Sequence, residues 1–212
     1  MKTKKFNTSQ LTILGLMSGI LFLMAYTPLG YLNVGPLAVT FNVIPVAICA
    51  VVLGPTGGAV AGAVFGLTSY MQAMGIGGAS ALGSALFQIS PVLTAVQCCV
   101  PRILDGICLG FIYRAVHKKA NTYVSCAVTG FFSAFLNTLF FMSALVMMFG
   151  NTELIQNLMG GRNIIVGCCV MVGFNAISEM ISSTIITAAV GTALSKAHLI
   201  PAAQIAKPDT AA

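Results

Sequence analysis

Charge is scarce in this sequence, and its scarcity decides the class of protein. Only 7% of the 212 residues are charged, where a soluble domain carries about 25%. Ten basic and four acidic side chains cannot cover the surface of a water-soluble body of this length. Catalytic apparatus is also missing. No Ser/His/Asp set, HExxH pair or phosphate loop is visible, and GGASALG at 77–83 lacks the GK[ST] ending of a nucleotide site. Nothing here points to an enzyme. Segments of about ten residues alternating apolar and polar, the mark of a membrane β-barrel, are missing too.

What the chain has instead is apolar length: hydrophobic residues make up 58% of it and the mean hydropathy is +0.96. A helix needs roughly 20 mostly apolar residues to cross the hydrocarbon core. Such runs fall at about 11–29, 38–53, 57–74, 91–115, 122–149 and 163–195. The expected fold is all-α, a polytopic membrane protein with a six-transmembrane-helix bundle. It forms one domain over 1–200, with 201–212 as a cytoplasmic tail. The second run is short and interrupted by Pro45, and the third is rich in small residues, GGAVAGAVFG.

Translocation disfavours Lys and Arg in short flanking loops, so their distribution orients the bundle. Six spans place Lys2, Lys4, Lys5, Arg114, Lys118, Lys119, Lys196 and Lys207 on one side and Arg162 alone on the other. Both termini are therefore expected in the cytoplasm, with the bundle in the cell membrane. This bias accounts for the net charge of +6 and gives no reason to invoke nucleic acid. The opening MKTKKFNTSQ has the basic start of a signal peptide, but no A-x-A-like site closes the apolar run behind it, so the first span is expected to stay.

The seven cysteines, Cys49, Cys98, Cys99, Cys108, Cys126, Cys168 and Cys169, all lie in expected spans. They lack the spaced pairs of a zinc site, and adjacent cysteines do not readily chelate one ion tetrahedrally, so they read as small packing residues and no metal is expected. His117 and His198 fall in basic cytoplasmic flanks, facing solvent or headgroups.

Gly15 and Gly19 form a small-xxx-small pair in the first span, which permits close approach of another helix. The segment TPLGYLNVGPLAVTFNVIP reads as an ordered outer loop. Pro55 and its neighbouring glycines mark a tight cytoplasmic turn, after which Gly58, Gly62 and Gly66 make a flat helix face. The outer end of that helix delivers Tyr70 and Gln72 into a long loop, AMGIGGASALGSALFQIS, that could serve as a lid.

Polar residues inside spans are expensive and are expected to be paired or functional. Arg102 lies mid-span with Asp105 three residues on, and Gln97 one to two turns further out. Asn137 is central in the fifth span, and Asn175 and Glu179 share a face of the sixth. These residues can converge in the outer half of the bundle. Two roles stay open for Arg102: a structural charge pair with Asp105 or Glu179, or a solute contact together with Tyr70, Gln72, Gln97, Asn137 and Asn175.

Taken together, Gly15-x-x-x-Gly19, PLG…GPLAVTFNVIPV, LGPTGGAVAGAVFGLTS, PRILDG, NTLFF and NAISE occur in an order and spacing that resembles the substrate-binding S components of energy-coupling factor (ECF) vitamin transporters. The resemblance implies a six-helix subunit that binds a micronutrient in an outward-open cavity. It also implies an EcfT-type transmembrane coupling subunit and two cytoplasmic ATPases as partners, with ATP used by those partners and no cofactor in this chain. Gly15, Gly19, Gly58, Gly62 and Gly66 would form the docking surface. Glycines stand in the first helix where the family typically has alanines. Among family substrates the first expectation is pantothenate, a small, flexible carboxylate, because the chain has no tryptophan and its mid-membrane asparagines suit a solute rich in hydrogen-bonding groups. Folate, riboflavin, pyridoxine-type vitamins and a queuosine precursor are the alternatives. An autonomous secondary transporter, proton-coupled through Glu179 and Asp105, is the reading from a different class.

Overall fold

The computed structural model describes residues 8–27, 30–34, 37–77, 80–159, 164–197 and 199. Lys2, Lys4, Lys5, Arg162, His198, Lys207 and the 201–212 tail lie outside the described residues, as do the side chains of Cys168 and Cys169. The chain runs α1 (Thr8–Ala25), β1 (Tyr31–Val34), β2 (Leu37–Thr40), α2 (Val43–Ala73), α3 (Ala81–Ile89), α4 (Pro91–His117), α5 (Thr122–Phe149), α6 (Glu153–Met159) and α7 (Ile164–Lys196). Among the described residues, five of these helices contain stretches long and apolar enough to cross a membrane.

The second of them is not one rod. Gly54 has φ +74° and ψ −162°, a combination open essentially only to glycine. A Cβ built on Gly58 would lie 3.1 Å from the Cβ of Ala50, eight positions earlier, whereas eight residues of continuous helix span about 12 Å. The chain therefore folds back at Gly54, and α2 is a helical hairpin with arms 43–53 and 55–73. Every residue of the first arm is buried. Its sequence, VIPVAICAVVL, is apolar all round, which suits a helix enclosed on all sides. Leu14, Met17 and Leu21 of α1, Leu109 and Tyr113 of α4 and Cys126 and Ala134 of α5 join it in the main core.

The second arm packs against α4 by glycine contacts. A Cβ on Gly58 would strike the carbonyl of Gly106, one on Gly62 the carbonyl of Arg102, and one on Gly66 the backbone of Cys99. This corrects the expectation that Gly58, Gly62 and Gly66 form a docking face, because all three are buried against the chain's own α4. Flatness is used internally. Gly15 and Gly19 differ: among the described residues a Cβ on either meets nothing within 4 Å.

Two further expectations change. The segment after α1 is not only loop but carries an antiparallel β-hairpin, with Tyr31 opposite Thr40 and Val34 opposite Leu37, so the fold is helical with one small sheet. The expected lid at 73–90 contains the helix α3, whose N-cap Ser80 accepts the Gly83 N–H at 3.2 Å. Leu86 of α3 and Ile155 of α6 bury themselves against Met142, Leu145 and Phe149 of α5 in a second core, capping the end of the bundle opposite Lys118 and Lys119.

Helix ends follow local chemistry. Ser90 caps α4 ahead of Pro91 at its first position, and Asn121 caps α5 by accepting the Val124 N–H at 2.8 Å. Ser133 and Ser183 meet at 3.0 Å between α5 and α7, and a Cβ on Gly130 would strike Ser183, so these helices pack closely through small residues. Large apolar side chains face outward, among them Val92, Ile185 and Met147. A contiguous apolar exterior of this kind is the surface a protein presents to lipid.

Candidate functional site

Arg102 owes its position to the proline before it. Pro101 has no N–H, so the carbonyl of Gln97 loses its helical partner four residues on. The Arg102 guanidinium turns back along α4, donating to Cys98 O at 3.0 Å and more loosely to Gln97 O at 3.5 Å. Its Cζ sits 4.7 Å from the Phe65 ring centroid and 5.1 Å from that of Phe141. The side chain is buried, and its Nε has no hydrogen-bond partner among the described residues.

Neighbouring contacts define a layer around this guanidinium. Gln97 donates from Nε2 to Phe141 O at 2.8 Å, while its Oε1 is buried and unpartnered among the described residues. Helices α4 and α5 are joined by a short turn and run antiparallel, so Gln97 opposite Phe141 sets Arg102 close to the level of Asn137. Asn137 is buried with an unpartnered Oδ1. Ser133 opposite Ser183 on antiparallel α5 and α7 then places Glu179, one turn along, level with Asn137.

The expected charge pair is not made. Among the described residues Arg102 has no carboxylate within 4 Å: it meets main-chain carbonyls and aromatic faces. Glu179 is engaged elsewhere, accepting the backbone N–H of Thr40 at 2.6 Å and so fixing the β-hairpin to α7. Asp105 is buried with its Oδ1 unpartnered. A guanidinium over two rings gains about 0.5–2 kcal/mol from each, against several kcal/mol for burying the charge. The guanidinium charge still reaches the carboxyl groups of Asp105 and Glu179, beyond contact distance. What the layer can do chemically is receive a carboxylate on Arg102 and hydroxyl or amide donors on Gln97 and Asn137.

Other expected solute residues are placed differently. Tyr70 is half-buried, its ring 5.9 Å from that of Phe87 in α3. Gln72 is buried and donates to Ala25 O at 2.6 Å, tying the end of α2 to the end of α1. Asn175 is buried on α7, one turn from Glu179. His117 stacks on Tyr113 at 4.8 Å, and Cys49, Cys98 and Cys126 are buried free thiols. One residue went unnoticed in the sequence: Asn42, wholly buried ahead of α2, has both amide atoms unpartnered among the described residues. The signal was a lone amide at the head of an apolar run.

A model of the family described as "ECF transporter, substrate-specific component" matches residues 9–191. The chain is 33% identical over 178 residues to a pantothenate transporter PanT of Leuconostoc mesenteroides subsp. mesenteroides, covering 81% of each chain. It is 28% identical over 205 residues to a pantothenic acid transporter PanT of Lactococcus lactis subsp. cremoris, covering 92% of this chain and 98% of that one. With its helices long enough to span a bilayer and a polar layer enclosed between them, the chain belongs to the substrate-specific components of ECF transporters.

Proposed function

We propose that this chain is the high-affinity binding subunit for pantothenate in an ATP-driven importer, and that Arg102 receives the vitamin's carboxylate. The observation that carries this reading is a buried guanidinium without a carboxylate partner among the described residues, beside the open acceptors Gln97 Oε1 and Asn137 Oδ1. Pantothenate bears one carboxylate, two hydroxyls and an amide, which matches one cation and several acceptors. The names of the two relatives point the same way. Asn175, on the adjoining helix face, adds a further amide to the layer. Tyr70 stands on α2 beside Phe87 of α3, at the end where solute would enter, while Gln72 ties α2 to α1.

Taking the two arms of α2 as separate membrane segments makes six, and on that count both termini share a side. Arg114, Lys118, Lys119 and Lys196 gather at one end of the bundle, and the rule that cytoplasmic loops carry the basic residues puts that end and both termini inside. The open strip at Gly15 and Gly19 suits close packing by a transmembrane coupling subunit, itself joined to two cytoplasmic ATPases. Reconstituted vesicles test this. Pantothenate uptake should need the coupling subunit, both ATPases and ATP; uptake by this chain alone on a proton gradient would instead make it a secondary transporter.

A further inference from the structure

We infer that Asn42 is a direct solute contact, a specificity-determining amide at the root of the β-hairpin; this rests on the solute-binding reading above. Asparagine at the start of a helix normally caps it, its side-chain oxygen accepting a backbone N–H of the first turn. Asn42 stands at that position of α2 yet makes no side-chain cap bond, and its own φ and ψ of −64° and −17° are helical. The side chain is instead fully enclosed, with both Nδ2 and Oδ1 unpartnered among the described residues. Each unmet group costs about 1–3 kcal/mol, so an apolar residue here would stabilise the empty protein.

Its height in the bundle coincides with the polar layer. Ala50 faces Gly58 across the α2 turn, so Asn42, eight residues back along the first arm, stands level with Gly66 on the second. Gly66 abuts Cys98 and Cys99 of α4, and Cys98 O is where the Arg102 guanidinium is bonded. Two residues before Asn42, the Thr40 N–H is held by Glu179, and the Thr40 hydroxyl accepts the Asn42 backbone N–H at 3.3 Å. The backbone carrying this amide is thus fixed while its side chain is left uncommitted. It offers the donor that Gln97 Oε1 and Asn137 Oδ1 do not, which a solute carbonyl or hydroxyl oxygen can accept.

The test compares wild type, Asn42→Leu and Asn42→Ala by calorimetric titration with pantothenate and by melting with and without it. Affinity should fall about five- to a hundredfold in both variants while the solute-free proteins melt at or above the wild-type temperature. Two variants of different bulk guard against a packing artefact in either. Wild-type affinity in both, or lower solute-free stability in both, overturns the inference and makes Asn42 structural. Absence of pantothenate binding in wild type would instead overturn the functional reading itself, which the same titration reveals first.

Discussion

The carboxylate of Glu179 accepts the backbone N–H of Thr40 at 2.6 Å, joining α7 to the strand end that leads into α2 across 139 residues of sequence. Thr40 is buried, so its N–H is shut off from water and an internal acceptor must satisfy it. Glu179→Ala should strand that N–H and lower stability by about 1–3 kcal/mol. Glu179→Gln keeps a carbonyl acceptor and should fall between, since hydrogen bonds to charged groups are the stronger ones. Melting of the purified proteins checks the order; equal melting of all three would mean the contact carries no weight.

Gly62 should tolerate nothing larger. A side chain there meets the Arg102 carbonyl, a backbone atom that cannot swing aside. Gly62→Leu should therefore cost several times the ~1–3 kcal/mol of ordinary overpacking and abolish a monodisperse folded peak on size exclusion. Normal yield and elution would separate the second arm of α2 from α4.

Gly15 and Gly19 should give the opposite pattern. Leucine at both positions meets open space, so folding and pantothenate affinity should match wild type while assembly with the coupling subunit and uptake are lost. Co-purification with the coupling subunit and titration are run on the same protein. Intact assembly, or affinity lost along with it, contradicts the docking role.

Arg102→Leu separates solute binding from architecture. With no carboxylate bonded to it among the described residues, removal of the guanidinium should leave the solute-free melting temperature unchanged or higher and weaken pantothenate binding by about a hundredfold. Asn137→Leu should weaken it by about five- to a hundredfold. A buried ion pair would behave otherwise, with a stability loss of about 3–5 kcal/mol on removing one partner. Collapse of the Arg102 variant without solute would restore the structural assignment.

The long helices were legible because hydropathy and length decide them: 122–149 coincides with α5, and 163–195 nearly with α7. The polar residues of α4, α5 and α7 were equally plain, since a charge or amide in an apolar run is conspicuous. What each touches was not. PRILDG marks Arg102, but only the geometry reveals that Pro101 frees a carbonyl for it and that Gly106 exists to meet Gly58. Spacing in one helix says which residues share a face and nothing about which neighbour covers it, which is why Gly58, Gly62 and Gly66 looked like an external surface. The β-hairpin was hidden because short strands with glycine and proline between them read as loop, and Asn42 because a single amide at a helix start ordinarily caps.

The measurement closest to the central claim is calorimetric titration of pantothenate into the purified chain, alongside riboflavin, folate and pyridoxine. Saturable binding of one pantothenate per chain, with the other vitamins silent and the signal greatly weakened in Arg102→Leu, is the expected result. Tight binding of another vitamin with none of pantothenate, or pantothenate binding indifferent to Arg102, would contradict it.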